Sequence, residues 1–107
     1  MLTNITIEGR EMVFVANAAT PFRFRQVFKK DLLSILGNEK KAEEEGVEAV
    51  TELAYIMAMQ AEKTDMKTLN EDSFIEWLEG FGPMAFVEAA EDILNAYMAN
   101  TISTAHP

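Results

Sequence analysis

Apolar and polar residues alternate from Leu2 to Glu8, with Ile5 and Ile7 on one side, the period of a half-buried strand. Glu8-Gly9-Arg10-Glu11 follows as a turn in which Gly9 is free to take positive φ. Met12 to Ala16 is rich in strand formers and completes a β-hairpin over residues 2–16. A lone hairpin is marginal in water. The short connection Asn17-Ala18-Ala19 therefore predicts that the hairpin packs on the helix that follows.

From Thr20 the period becomes helical. Phe24, Phe28, Leu32, Ile35 and Leu36 form one wide apolar face, which predicts a single helix over about 21–36. Thr20 is placed to cap it, Pro21 suits its first position, and Gly37 suits a left-handed residue just past its end. Residues 38–46, NEKKAEEEG, read as a mobile linker or as the exposed start of the next helix, expected over about 44–63. There Val47, Val50, Ala54, Met57 and Ala61 make one stripe. Leu53, Tyr55, Ile56 and Met59 widen it until the C-terminal half is apolar nearly all round. Such a helix is central in a core or buries a second face against another chain. For a chain of this length the core is the simpler reading, with Met57 and Met59 also suited to an adaptable contact.

Asn70 can cap a third helix over about 71–80, with Glu71 and Asp72 in its first turn and Phe74, Trp77, Leu78 and Phe81 on one face. Gly80-Phe81-Gly82-Pro83 breaks the chain. A fourth helix over about 83–100 places Phe86, Val87, Ala90, Ile93, Leu94, Tyr97 and Met98 on the amphipathic template, and residues 101–107 are expected to fray. The predicted fold is mainly α (α+β): one domain over 1–107, an N-terminal hairpin followed by about four helices packed as a small bundle.

Charge sharpens this picture. The 107 residues carry a formal net charge of −9, which argues against non-specific binding to nucleic acid or to an anionic membrane. Yet Arg23, Arg25, Lys29 and Lys30 crowd the first helix against Asp31 alone, so one basic, Phe-rich helix sits in an acidic protein. It reads as a core helix with a solvated basic edge, or as a surface that meets a partner. With no Cys, no membrane-length apolar run and no signal-peptide pattern at the N-terminus, the expectation is a soluble, intracellular protein.

Chemical motifs are sparse. His106 is the only His, so His triads and His metal clusters are implausible. No dinucleotide fingerprint, P-loop or H-E-x-x-H is present, and residues 65–72 lack the glycine and spacing of a calcium loop. Glu43, Glu44 and Glu45 point in different directions on a helix and do not converge on one ion. No enzyme activity, cofactor or metal is expected. Glu71-Asp72-Ser73-Phe74 loosely echoes the modified serine of acyl carrier proteins, although the preceding Gly is missing and a first-turn Ser is the simpler reading.

The stretch ITIEGREMVFVANAATPFRFRQVFKKDLLSIL, Ile5 to Leu36, resembles the tail assembly chaperones of long, non-contractile-tailed bacteriophages and their prophages. Their pattern is a strand, a Gly-(Lys/Arg)-Glu turn, an aromatic strand, and a helix with aromatic and basic residues closing near Asp-Leu. The matching positions are Ile5, Ile7, Gly9, Arg10, Phe14, Phe22, Arg25, Phe28, Asp31 and Leu32. Phe74 to Leu78 and the acidic helical remainder are similar more generally. The resemblance implies a non-catalytic protein of the host cytoplasm, absent from the mature virion, that binds the tape measure protein during tail-tube assembly. It also implies a longer, frameshifted form recruiting the major tail (tube) protein, this chain being the short form, and it leaves room for a homo-oligomer. On that reading the broad apolar surface around Tyr55, Met57 and Met59, with Phe22 and Arg25 nearby, is expected to meet the partner or a second copy. The rival reading is a small acidic helical adaptor or regulatory domain unrelated to phage assembly.

Overall fold

The two-residue loop Glu8-Gly9 fixes the first element. Both residues have positive φ, 52° and 78°, the geometry of the tight hairpin turn that matches strand twist. A computed structural model describes residues 2–102, with side chains up to residue 99. Strand β1 (Leu2–Ile7) pairs antiparallel with β2 (Arg10–Val15), and Ile5 stands opposite Met12 and Ile7 opposite Arg10. Ile5, Ile7 and Phe14 are buried on one face, while Asn4, Thr6 and Glu11 lie on the other and are exposed. The remaining chain is helical: α1 (Thr20–Phe28), α2 (Leu32–Leu36), α3 (Glu39–Ala61), a 3₁₀ turn (Met66–Thr68), α4 (Glu71–Leu78) and α5 (Ala85–Ile102). The fold is therefore mostly helical behind an N-terminal hairpin, as the hydrophobic pattern predicts.

Helix α3 runs through the middle. Every residue from Glu52 to Gln60 is buried, and β2, α1, α2, α4 and α5 all pack on α3. Leu53, Ile56 and Met57 are sealed from solvent and share one core with Phe14, Phe24, Leu32 and Ile93. Nine successive buried positions leave no room for an alternating wet face, which is why the helix needs apolar residues nearly all round. An aromatic chain links the packed helices: Phe28 meets Phe74 edge-on at 5.1 Å, Tyr55 lies 5.2 Å from Trp77, and Trp77 lies 5.2 Å from Phe86.

Four local expectations are corrected. The single helix over 21–36 is two helices, because Lys29 turns left-handed (φ 60°) and Asp31 restarts the chain by accepting from the Ser34 N–H at 3.2 Å. The Asp side chain competes with the helical backbone and favours a new N-terminus. Thr20 does not cap α1: it is buried, and its hydroxyl accepts from the Asn17 N–H at 3.0 Å and from Gln60 Nε2 at 3.0 Å. Gly37 is right-handed (φ −84°), since Asn38 follows at once as an extended N-cap; a Cβ at Gly37 would instead sit 2.8 Å from the Leu33 carbonyl. Residues 39–46 are the first turns of α3, capped by Asn38, which accepts from the Lys41 N–H at 3.0 Å. That helix thus begins at Glu39 rather than near 44.

Asn70 does cap α4, in a reciprocal box with Ser73, and α4 ends at Leu78 rather than 80. Helix α5 starts at Ala85 rather than 83 and continues through residues 101 and 102. The remainder of the expected frayed tail, 103–107, and His106 within it, lie outside the described residues.

One buried polar knot ties three elements. Gln60 Nε2, near the end of α3, donates to the Val15 carbonyl at the end of β2 and to Thr20 Oγ1 at the start of α1. Replacing Gln60 with Ala removes both bonds and leaves the Thr20 hydroxyl short of one donor. Gln60→Ala is expected to cost about 2 kcal/mol, seen as a lower urea midpoint with an unchanged denaturant slope.

Candidate functional site

Of the five residues expected at a partner surface, three are inside. Tyr55 is buried and donates its hydroxyl to Ser73 Oγ at 2.8 Å. Met57 is fully buried and Met59 nearly so. They lie on the enclosed half of α3, where their apolar character answers neighbours in the same chain. A partner therefore cannot meet them on this fold without opening the core. Phe22 and Arg25 are on the surface: Phe22 on α1 is 72% exposed, and Arg25 pairs with Asp31 at 3.2 Å across the α1–α2 break. The five do not form one patch.

Ser73 is committed as well. Its hydroxyl donates to the Asn70 carbonyl at 2.9 Å and accepts from the Asn70 N–H at 2.9 Å and from Tyr55. This serves the start of α4 and leaves the Ser poorly placed as an attachment point. Among the described residues, no group of three or more His, Asp or Glu side chains converges as a metal site, and no helix is long and apolar enough to cross a membrane.

Part of the open apolar surface lies at the other end of α3, while Leu2, Val13, Phe22, Ile75 and Met84 are exposed outside the clefts found there. A cleft of about 300 Å³ is lined by Leu36 of α2, Ala42, Gly46 and Val50 of α3, and Ala90 and Leu94 of α5. Val47 lines it too and also lines an adjoining cleft of about 270 Å³ with Leu78, Phe81, Phe86 and Val87. The two clefts share Val47 and are together termed the groove between the first half of α3 and α5. Val47 and Val87 are each about half exposed, at 51% and 47%. Leu33, three residues before Leu36, and Met98, four after Leu94, are also exposed, outside the lining of either cleft. Phe86, Ala89, Ile93 and Tyr97 are buried in the core, whereas Val87, Ala90, Leu94 and Met98 form a second stripe on α5. Helical periodicity merges the two stripes into one wide face, which is why the sequence sets Val87 on the same amphipathic template as Phe86 and Ile93. The signal available was the width of that face.

A clasp holds the far end of the groove. The Glu8 carboxylate in the hairpin turn accepts from the Gly82 N–H at 2.9 and 3.1 Å. Arg10 donates to the Gly80 carbonyl at 2.9 Å and stacks 4.1 Å from the centre of the Phe81 ring. A Cβ at Gly82 would lie 2.5 Å from the Glu8 carboxylate, so any other residue there would make that flexible side chain shift. The hairpin turn thereby fixes the α4–α5 connection, which lines the groove.

A buried carboxylate, unforeseen in the sequence, fixes the opposite side of α3. Glu52 is 1% exposed and accepts from Lys30 Nζ at 3.1 and 3.2 Å; Glu48 lies 3.5 Å from the same ammonium. The pair secures the bend between α1 and α2 to α3. Burial pushes the Glu52 carboxyl above its ordinary 4.5, and the Lys30 bond pulls back only in part. Burial alone would lower Lys30, but its bonds to Glu52 and Glu48 outweigh that and hold it above its ordinary 10.5.

No family model matches the chain, and comparison with curated proteins and with solved structures returns no match.

The Glu52 shift sets a pH dependence. Ionisation of a group whose folded pKa is raised opposes folding above that pKa, and acid relieves the penalty until the unfolded group is protonated as well. Relative to Glu52→Gln, the native chain is therefore expected to be less stable at pH 7. The gap should close as pH falls through the raised Glu52 pKa toward 4.5. Lys30→Met strands the carboxylate and is expected to cost about 3 kcal/mol at pH 7, largely recovered in Lys30→Met/Glu52→Gln. Urea titrations of the four chains across pH 4–8 measure both effects.

Proposed function

We propose that this protein is a non-catalytic assembly chaperone for a long helical client, specifically a phage tail assembly chaperone that keeps the tape measure protein in solution while tube subunits polymerise. The observation that carries this reading is the apolar surface left over once the core is complete. Val47, Val87, Leu33 and Met98 stay in water although the fold has buried side chains enough to close its own centre. Exposed apolar side chains gathered at clefts, as Val47 and Val87 are, mark a contact site.

The N-terminal resemblance supplies the identity of the client. The matching residues Ile5, Ile7, Phe14, Phe28 and Leu32 are buried in one core, so the resemblance covers a packed hairpin-and-helix unit rather than scattered letters. A tape measure protein is long and helical, and its apolar stripes would aggregate before the tube encloses them. A net charge of −9 on each bound copy would keep such an assembly soluble. Covering one half-exposed side chain of this kind yields about 1 kcal/mol, and covering all four yields about 4 kcal/mol. Association itself costs at least as much. One copy therefore holds its client weakly, and several copies along one client hold it by avidity. On this reading the protein acts in the cytoplasm of the bacterial host and is absent from the finished virion. A longer frameshifted form would bring in the major tail protein.

Co-expression with a long, helical tape measure candidate from the neighbouring genes tests this. The long protein is expected to be insoluble alone, and soluble and co-purifying when this chain is present, with sizing giving the number of copies bound. Absence of both binding and solubilisation, with the short and the frameshifted forms alike, removes the proposal.

A further inference from the structure

We infer that the groove between the first half of α3 and α5 is a docking site for a basic amphipathic helix. Its link to the tape measure protein rests on the preceding reading; the chemistry of its occupant does not.

Three observations define that occupant. The floor is apolar and lacks a side chain at its centre. Gly46 lies in mid-helix, where glycine costs about 1 kcal/mol against alanine, and a Cβ there would meet nothing within 4 Å. No neighbour on this chain requires a glycine at that point. With Ala42 one turn before it, Gly46 allows a second helix backbone to come close. The length also fits: from Glu39 to Val50, α3 offers about three turns.

The rim is acidic. Glu91 is the only charged residue lining the cleft. Glu43 shares the groove face of α3, three residues before Gly46 and four before Val47, with Glu39 and Lys40 a further turn back; all three are exposed. Glu88 stands one turn before Glu91 on α5, also exposed. No Lys or Arg lines either cleft. An apolar floor between edges that carry four carboxylates against one Lys matches a helix with one apolar stripe flanked by Lys or Arg.

A second copy of this chain is a poor occupant by the same criterion, since its outer surface is mostly acidic. Its basic α1 and the bend after it are largely committed: Arg23 to Gln60, Arg25 to Asp31, Lys29 to the Gln26 carbonyl, and Lys30 to Glu52.

The test uses the full chain and a fluorescein-labelled 18-residue Leu/Lys peptide with one apolar face, read by anisotropy. A Leu/Glu peptide of the same pattern is the control. The Leu/Lys peptide is expected to bind and the Leu/Glu peptide not. Gly46→Leu plugs the floor without changing charge, and should weaken binding at least 10-fold. Glu43→Lys/Glu91→Lys should do the same, whereas Glu62→Lys/Asp65→Lys, of equal net charge but at the other end of α3, should change it less than 3-fold. Circular dichroism and urea midpoints confirm that each variant is folded. Equal weakening by both charge reversals would show diffuse attraction and overturn the inference. So would indifference to Gly46→Leu, or a native dimer that Gly46→Leu dissociates. If Gly46→Leu still co-purifies with the tape measure protein as well as the native chain does, the groove assignment falls and the chaperone reading stands. If the peptide results hold and the tape measure protein does not bind, the reverse follows.

Discussion

Everything in this fold depends on enclosing the second half of α3. Nine consecutive residues of one helix are removed from water, and no single neighbouring element can cover a helix on all sides. The hairpin, the broken α1–α2 pair, α4 and α5 each take a share. This constraint explains why a marginal two-stranded hairpin is ordered at all: β2 lies directly on α3, and Gln60 binds its end. It also explains the break at Lys29. A continuous helix over 21–36 would run past α3 as a straight rod, whereas two short helices follow its surface and bury Phe28, Leu32 and Ile35 together.

The same enclosure creates the opposite condition at the other end of α3. Its first turns extend beyond the core, so Val47 is left in water while Val50 three residues later is buried. Helix α5 runs alongside and contributes a stripe the core does not use. The groove is thus a consequence of one helix being longer than the core that surrounds it. Two contacts brace its walls: the Glu8 and Arg10 clasp ties the α4–α5 connection to the hairpin turn, and the Lys30–Glu52 pair ties the α1–α2 bend to α3. A surface braced in this way suits a partner that arrives ready-folded, since little ordering remains to be done on binding.

The elements themselves were legible from period and punctuation. The hairpin over 2–16, the cap at Asn70, the break near Gly80 to Pro83 and the apolar faces of all the helices follow from local rules that act within a few residues. Tyr55, Met57 and Met59 show where such rules stop. Their spacing says that α3 is apolar all round, and that fact is equally true of a central helix and of one with a second partner. Only the count of elements packed around it separates the two. Glu52 was illegible for a related reason: its charge looks like one more solvated carboxylate until Lys30, twenty-two residues away, is placed beside it.

The sequence by itself determined the class of fold, the basic edge on α1, the acidic balance and the excess of apolar residues on α3 and α5, because each is a property of composition or of helical and strand period. Tertiary structure alone decided which of those apolar residues face inward. It turned Met57 into core and Val47 into surface although both lie on one stripe of one helix, because α3 outruns the elements that cover it. Burial depends on what stands opposite a side chain, and periodicity specifies only the direction in which the side chain points.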